Sequence, residues 1–455
     1  MNGDHESVNY RNETIKLTYP VFLELLVSSL FGMVDMMMVG NSGSPSITTP
    51  SIAAIGITNQ IMFIGIALTQ ALSTGGTTMI ARYVGSKRYS EIPNVLKHLF
   101  LVAFLLLVLP FFVITQSNPQ GIMALVGAKS DAIEIGLRYF RIVTLGFIFQ
   151  GFNLTVFSSM RGTGDTKTPM IINLSVNFLN VLGNYILIFG KLGFPKLGVT
   201  GAGISTTISQ LIASIILVIY LFKSKSFLNL KVKEKFRLKK STLKNLVLVG
   251  GPAAVEQIFF RVGVLLFVRI VSGLGTVVYA THQIGLSVLS LSYSPGQAFG
   301  IAASTLVGRS LGEKRIDKAE NFIKETIKLS LVVGIIMGVI FFLFGTTITS
   351  LYTKDPEIIT RSESILKLMA FIQPFQAVTF VLSGSLRGAG DTVSTLLVTM
   401  TSVTMVRLIS ALILIHVFHL GLIGAWIAMF IDQMTRFLGI NLRYKKGNWK
   451  YIKLQ

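Results

Sequence analysis

The sequence has 455 residues, of which 51% are hydrophobic and only 13% are charged. Water-soluble domains carry about 25% charged residues, so this composition excludes a soluble globule, and the lack of cysteine excludes disulfides. The formal net charge of +21 is typical of nucleic-acid-binding proteins, but Lys and Arg also accumulate in the cytoplasmic loops of membrane proteins. We therefore expect a protein of the lipid bilayer with no nucleic-acid partner.

The elements in chain order are long, unbroken apolar stretches. A membrane-spanning helix needs about 20 apolar residues, whereas outer-membrane barrels use alternating segments of about 10 residues. The stretches begin near Ile15, Ile52, His98, Ala132, Pro169, Gly198, Leu246, Val277, Ile327, Ile358, Val393 and Leu420. The sequence therefore predicts an all-α polytopic membrane protein with about twelve transmembrane helices.

The loops between these stretches alternate in charge, and the alternation predicts the topology. The basic loops are residues 82–97, 161–167, 223–244 and 309–324 and the segment after Leu442. The positive-inside rule places these loops and both termini in the cytoplasm. The predicted organisation is an N-terminal tail (1–13), an N-lobe (14–222), a basic linker (223–245), a C-lobe (246–443) and a second tail (444–455).

An internal repeat divides the sequence into two homologous halves. Residues 69–97 align with 296–324 at a shift of 227, and RGTGDT at 161–166 returns as RGAGDT at 387–392. An even number of spans in each half gives both halves the same orientation. We therefore expect two six-helix lobes around a central cavity, which is an architecture of transporters that work by alternating access.

These motifs resemble those of the multidrug and toxic compound extrusion (MATE) family. The resemblance rests on Val34-Asp35 followed by Val39-Gly40, on the paired RGxGDT loops, and on the LGxxGA starts of the sixth and twelfth spans. It implies a cation-coupled exporter in the cell inner membrane. Such an exporter exchanges H⁺ or Na⁺ for bulky organic, often cationic, drugs.

Within that family the sequence is more similar to the prokaryotic DinF-like branch than to the NorM branch. The DinF-like pattern has a bending Pro followed by an Asp in the first span, which matches Pro20 and Asp35. It departs from that pattern at Asn184, where a second acid is expected, and from the NorM pattern at Gln373, where that branch has an Asp. The resemblance therefore leaves the coupling ion open between H⁺ and Na⁺.

Asp35 is the principal candidate for binding the coupling cation. It lies inside the first span, where an ionised carboxylate costs several kcal/mol unless it faces the bundle interior. Burial favours the protonated form, which is the property that a proton carrier needs. The alternative is a water-exposed Asp at the outer helix end, because Asp35 is close to Gly40.

Four amides in the fifth span form a polar stripe, with spacings of 4, 3 and 4 residues: Asn173, Asn177, Asn180 and Asn184. This spacing places them on one helical face, which we expect to line the N-lobe cavity opposite Asp35. Interhelical hydrogen bonding alone is the alternative. We predict that Asp35, Asn180, Asn184 and Thr206 form the cation-coupling site, in which the first three bind the metal if the ion is Na⁺.

Further polar side chains are predicted to line the substrate cavity. Glu24 lies on the same side of the first span as Asp35, but it has a repeat mate in Glu256, so a shared structural role is equally consistent. The predicted cavity residues are Glu24, Ser28, Asn173, Asn177, Gln150, Gln376, Glu256, Gln283 and Arg407.

Arg407 stands at the repeat position of Asn184, so the C-lobe carries a fixed positive charge where the N-lobe carries an amide. We expect a structural ion pair with Glu256 or Asp432, although Asp432 also has the spacing for a local pair with Arg436. The RGxGDT loops are predicted to be structural, with glycines that allow a tight turn and with Arg and Asp side chains that tie helix ends together.

Function is predicted by exclusion as well as by these sites. The sequence has no Walker loop, HExxH or paired CxxC motif, so we predict no enzyme and no cofactor beyond H⁺ or Na⁺. The prediction is a monomeric secondary active antiporter of small-molecule drugs or toxins. A flippase or exporter of a lipid-linked or anionic precursor is the alternative, supported by Arg261, Arg269 and Arg407. A channel or a non-transporting receptor is a further alternative, which the twofold repeat argues against.

Overall fold

The computed structural model describes residues 9–224, 226–230, 236–353 and 355–454, and no strand occurs among them. Long helical segments follow one another along this part of the chain. The first six, α1–α6, are Tyr10–Gly40, Pro45–Gly85, Tyr89–Ser117, Ser130–Thr163, Lys167–Phe189 and Gly198–Lys223. The next six, α7–α12, are Lys240–Ser272, Thr276–Gly312, Ile316–Ser350, Pro356–Ala389, Thr392–Val417 and Gly421–Lys445. A short helix, Pro119–Leu125, precedes α4, and a 3₁₀ turn, Asn448–Tyr451, follows α12.

Two of these segments contain wider, π-helical turns. In α3 the π-helical stretch is Phe104–Val108, and in α11 there are two, Met400–Val406 and Ile413–Val417. Such turns are rare and occur mostly as single-turn bulges within α-helices. The α11 stretches lie directly on either side of Arg407 and its helical turn, so the backbone is irregular where this buried cation is placed.

Nine of the described helices are long and apolar enough to cross a membrane, judged by length and composition. The remaining three long helices, α7, α8 and α12, are not among these nine. They contain polar residues within the helix, of which Glu256, Gln283 and Asp432 are examples. The all-α, polytopic fold class predicted from the sequence is confirmed, and the polar content of these three helices matters for the site described below.

The chain divides into two compact units. The N-unit contains the described residues of Leu23–Tyr83 and Lys87–Ala254, and the C-unit contains Val255–Leu454 with Val84–Ser86 and the described part of Met1–Phe22. Helices α1 and α7 therefore each contribute to both units, and each changes unit within two residues of a proline, Pro20 or Pro252. A proline inside a helix removes one backbone hydrogen bond and bends the axis.

The unit limits are close to the predicted lobe limits but do not coincide with them. The predicted boundaries at residues 14, 222, 246 and 443 stay predictions, since packing groups and sequence repeats need not divide the chain at the same residue. Parts of the predicted tails and linker, residues 1–8, 225, 231–235 and 455, lie outside the described residues.

The RGxGDT loops end α4 and α10 with the same backbone conformation. Gly164 has φ of 90° and Gly390 has φ of 89°, in the left-handed region where glycine has no steric penalty. Glycine is also required for close packing beside the second loop, because a Cβ added at Gly388 would lie 2.2 Å from the carbonyl oxygen of Ser304. Helices α8 and α10 thus pack through small residues, as membrane helices commonly do.

Candidate cation and substrate sites

Helices α1 and α5 bring Asp35 and the Asn stripe together in the N-unit. The side-chain N–H of Asn184 donates to Oδ1 of Asp35 at 2.7 Å. Asp35 is half-buried, whereas Asn180 and Asn184 are buried. The first-span acid and the fifth-span amides, which are far apart in the sequence, are therefore neighbours in the fold.

Asn180 connects this pair to α6. Its amide nitrogen donates to both carboxylate oxygens of Asp35, at 3.2 and 3.1 Å, and its amide oxygen accepts from the Thr206 hydroxyl at 3.1 Å. This orientation of the amide satisfies both its nitrogen and its oxygen, and in it Asp35 accepts hydrogen bonds from two Asn side chains.

The group Asp35, Asn180, Asn184 and Thr206, called here the N-unit cluster, has one carboxylate and otherwise neutral polar groups. Within the described chain Asp35 makes no ion pair, and the buried Oδ1 of Asn184 has no hydrogen-bond partner. Carboxylate, amide and hydroxyl oxygens are the ligands that hard cations prefer. A protonated carboxyl instead donates one O–H and needs an acceptor, which an amide oxygen provides. The chemistry of this donor set fits Na⁺ as well as H⁺.

Glu24 occupies the same helix as Asp35 but has an ion-pair partner. The guanidinium of Arg161, in the first RGxGDT loop, donates to Oε1 of Glu24 at 2.6 Å, and the Asn173 amide donates to the same oxygen at 3.0 Å. One helical turn further along α1, the hydroxyl of Ser28 accepts from the Asn177 amide at 3.3 Å. The α5 stripe therefore contacts α1 at Glu24, Ser28 and Asp35.

The C-unit contains the equivalent Glu–Arg pair. Arg387, in the second RGxGDT loop, donates to Oε1 of Glu256 at 2.7 Å, and the hydroxyls of Thr399 and Thr395 donate to this carboxylate at 2.9 and 3.0 Å. In each unit, the arginine of the RGxGDT loop thus forms an ion pair with a buried glutamate, Glu24 of α1 or Glu256 of α7. These contacts favour the structural interpretation of Glu24 and Glu256, whose role in a substrate cavity stays a prediction.

Arg407 pairs with Asp432 and not with Glu256, which settles the choice of counter-ion. Two N–H groups of the Arg407 guanidinium donate to Oδ2 of Asp432, with the Nε bond at 3.1 Å, and both side chains are buried. Arg436 donates to the other carboxylate oxygen at 3.4 Å, so the local pair forms as well. One acid therefore faces two guanidinium groups, and this cluster carries a net positive charge.

The three predicted glutamines lie in different surroundings. Gln283 is exposed on α8 and donates to the Tyr279 hydroxyl at 2.5 Å. Gln376 is buried on α10, where it and Gln373 line a cavity of about 10 Å³, and its amide has no protein partner among the described residues. Gln150 is half-buried on α4. No hydrogen bond joins these three side chains within the described chain.

The sequence-based prediction missed a polar stripe along α8. Its members are Gln283, Ser287, Ser290, Ser294 and Gln297. Their spacing of 4, 3, 4 and 3 residues places them on one helical face, and all are exposed except Ser294, which is half-buried. In a spanning helix such a face indicates contact with water and not with lipid. The spacing is the signal that identifies it, and only Gln283 is among the predicted residues.

A family model matches both halves of the chain, and curated relatives match it over nearly its full length. The MatE model matches residues 20–186 and, a second time, residues 252–413, one match in each half of the repeat. The chain is 33% identical to the "Probable multidrug resistance protein NorM" of Thermotoga maritima, over 97% of the chain and 93% of that protein. It is 27% identical to the "Multidrug resistance protein MdtK" of Yersinia enterocolitica, over 95% of the chain and 94% of that protein.

Solved structures show the same fold. A structure described as the outward-facing conformation of a multidrug resistance MATE family transporter of the MOP superfamily has a TM-score of 0.87 at 23% identity, and the match covers 97% of both chains. Together with the two matches to one family model, this likeness accounts for the two homologous halves and the all-helical architecture. The chain belongs to the MatE family, the multidrug and toxic compound extrusion transporters of the membrane.

Proposed function

We propose that this protein is a secondary active transporter that exports organic, mostly cationic compounds in exchange for H⁺ or Na⁺ by alternating access. The observation that carries the proposal is the environment of Asp35. Its carboxylate is half-buried in a spanning helix, makes no ion pair within the described residues, and accepts from the Asn184 amide at 2.7 Å. An ionisable group at such a position has a functional role by default. The partner that would balance the charge of the Asp35 carboxylate is a cation.

Proton binding would change the hydrogen-bond roles within the N-unit cluster. The ionised Asp35 only accepts, and its bonds from amide N–H groups are charge-assisted. The neutral carboxyl donates one O–H, and the buried, unpartnered Oδ1 of Asn184 is an acceptor on the adjacent amide. Protonation therefore weakens the contact between α1 and α5 and favours a turned amide. The bend of α1 at Pro20 provides a point at which the helix responds.

Sodium binding would use the same atoms in another way. The Asp35 carboxylate would supply the negative charge, and the oxygens of Asn180, Asn184 and Thr206 would complete the coordination. Binding would then draw α1, α5 and α6 together instead of loosening them. Proton binding and Na⁺ binding are therefore expected to change the packing of α1 against α5 in opposite directions.

The remaining properties follow from the topology and the family. We infer that the membrane is the cell inner membrane, that both termini are cytoplasmic because the positive-inside rule assigns the basic loops to that side, and that the transporter is a monomer. Its partners are small-molecule drugs or toxins and the lipid bilayer. We infer no nucleic-acid partner, no enzymatic activity, and no cofactor apart from the coupling ion.

A flippase or exporter of a lipid-linked or anionic precursor is the second candidate function. One observation favours it, which is the positive charge within the C-unit helices. Arg407 and Arg436 share a single acid, Asp432. A transporter that handles only cations has no evident need for this excess of guanidinium groups.

The test is transport by purified protein in liposomes under an imposed pH gradient and, separately, under a Na⁺ gradient. We expect one gradient to drive ethidium or norfloxacin flux, and we expect Asp35→Asn to abolish it while the protein still folds. The matched control is Asp131→Asn, which neutralises an exposed carboxylate at the start of α4 and should leave the flux unchanged. Full coupled flux in Asp35→Asn would refute the site, and no flux under either gradient with folded protein would favour the second candidate. Counterflow, in which unlabelled substrate on one side of the membrane drives uphill movement of labelled substrate from the other side, would exclude a channel.

A further inference from the structure

Helix α7 carries a guanidinium group that no acid of the described chain neutralises. Arg261 is exposed and makes no ion pair or hydrogen bond with any described residue. Three other arginines of the C-unit helices are paired with buried acids, Arg387 with Glu256, and Arg407 and Arg436 with Asp432. Arg261 therefore differs from them in having its charge available to a partner outside the protein.

The depth of Arg261 in its helix restricts what that partner is. Its Cα lies about 16 Å along the helix axis from the α7 end at Ser272 and about 31 Å from the end at Lys240. The hydrocarbon core is about 30 Å thick, so the residue belongs to the spanning part of α7. A guanidinium facing lipid there is energetically costly, and arginines in spanning segments almost always face the bundle interior or a water-filled cavity.

The acids on the C-unit helices near Arg261 are paired with other arginines, Glu256 with Arg387 and Asp432 with Arg407 and Arg436. The guanidinium of Arg436 on α12 lies 5.7 Å from the ring of Phe260, the residue before Arg261, so a second cation is close to this part of α7. Gln257, one turn before Arg261, is half-buried and neutral. The exposed α8 stripe consists of amides and hydroxyls alone. The polar surface of these helices can therefore bind neutral and anionic groups, and the charge at Arg261 favours anions.

We propose that Arg261 is a specificity-determining residue that binds an anionic group of the transported compound, a carboxylate or a phosphate. Guanidinium groups bind these planar or tetrahedral anions through paired N–H donors. The substrates then include amphipathic compounds that carry an anionic group beside a cationic one, and simple cations do not use this contact. The inference rests on the proposed transport function and names a substrate class for it.

The experiment compares two probes that differ only in the anionic group, norfloxacin and its ethyl ester, with ethidium as a permanent cation. Flux of each is measured in liposomes as a function of concentration for wild-type protein, Arg261→Gln and Arg261→Lys. The matched control is Arg269→Gln, which removes an exposed guanidinium near the outer end of the same helix. Thermal unfolding of each variant checks the fold, which Arg261→Gln should retain because Arg261 has no protein partner to lose.

We expect Arg261→Gln to raise the KM for norfloxacin about tenfold, the effect of losing one hydrogen bond to a charged group. Its maximal rate should change little, and the KM values for the ester and for ethidium should stay within about twofold, because neither probe carries a carboxylate for Arg261 to bind. Arg261→Lys should recover part of the norfloxacin affinity, because it keeps the charge but not the paired donors. Equal changes for norfloxacin and its ester would overturn the inference while leaving the transport function intact.

Two further outcomes separate the inference from its alternatives. The anionic phosphate of a lipid headgroup offers the same chemistry, so the measurement is repeated in vesicles of phosphatidylcholine alone and in vesicles with phosphatidylglycerol. An Arg261→Gln effect in both supports the solute as partner, and an effect confined to vesicles with the anionic lipid overturns the inference. Wild-type protein that transports none of the three probes refutes the proposed function and this inference with it.

Discussion

The buried C-unit ion cluster makes a quantitative prediction about stability. Asp432 is fully buried and accepts from both Arg407 and Arg436. The change Asp432→Asn leaves the buried Arg407 guanidinium without a counter-ion, and removal of one member of a buried pair costs about 3–5 kcal/mol. The change Arg407→Gln costs less, about 1.5–3 kcal/mol, because the carboxylate keeps Arg436 as a partner.

The double variant Arg407→Gln/Asp432→Asn distinguishes pairing from simple burial. It replaces the two charges with two amides that can bond to each other, so it should be destabilised by less than the sum of the single changes. We expect a coupling energy of about 2–3 kcal/mol, the upper range for residues in direct contact. The assay is equilibrium unfolding of purified protein in mixed micelles, with the free energy of unfolding compared among the four proteins.

The matched control for this cycle is an exposed pair in the same unit. Lys367 and Glu363 form an ion pair at 2.7 Å on α10 with both side chains substantially exposed, and such pairs contribute about 0–1 kcal/mol. The equivalent cycle there, with Lys367→Gln and Glu363→Gln, should give a coupling energy near zero. A coupling energy at Arg407 and Asp432 no larger than at this exposed pair would refute the argument that the C-unit charges are desolvated.

The same structure makes three further predictions. Asn184→Ala removes the 2.7 Å donor to the Asp35 carboxylate, so coupled efflux in liposomes should fall about tenfold, and unchanged efflux would contradict a role for the cluster. Glu24→Gln removes the carboxylate that pairs with Arg161 of the first RGxGDT loop. It should lower the free energy of unfolding in mixed micelles by about 3–5 kcal/mol. A change below about 1 kcal/mol, the range of exposed ion pairs, would contradict a buried structural pair. Because the chain has no cysteine, Ser287→Cys should react with a membrane-impermeant maleimide and the buried Leu289→Cys should not; equal labelling would argue against a water-facing α8 stripe.

Features that depend on helical periodicity could be predicted from the sequence. The 4, 3 and 4 spacing of the α5 asparagines determines their common face in any helix, and that face contacts α1 at Glu24, Ser28 and Asp35. The glycines of the RGxGDT loops likewise indicated tight turns, and Gly164 and Gly390 have the left-handed backbone that such turns use. In both cases the information is local, because a few consecutive residues specify the geometry.

Pairings between distant residues could not be predicted in the same way. The partner of Glu24 is Arg161, 137 positions away, and nothing in the spacing of either residue indicates the other. For Arg407 the sequence left two acids as candidates, and only the packing of α11 against α12 selects Asp432. The α8 stripe was missed for a different reason, since serines are common in spanning helices, where their hydroxyls bond to the helix's own carbonyls, as Ser287 does.

If Asp35 couples a cation to the movement of an organic compound, the coupling is reciprocal by thermodynamic linkage. The most direct measurement therefore runs the exchange in reverse. An ethidium gradient is imposed across liposomes with no initial ion gradient, and H⁺ or Na⁺ movement is recorded. We predict that wild-type protein moves one of these ions against ethidium and that Asp35→Asn moves neither. Ion movement driven by ethidium that persists in Asp35→Asn would show that Asp35 is not the coupling residue.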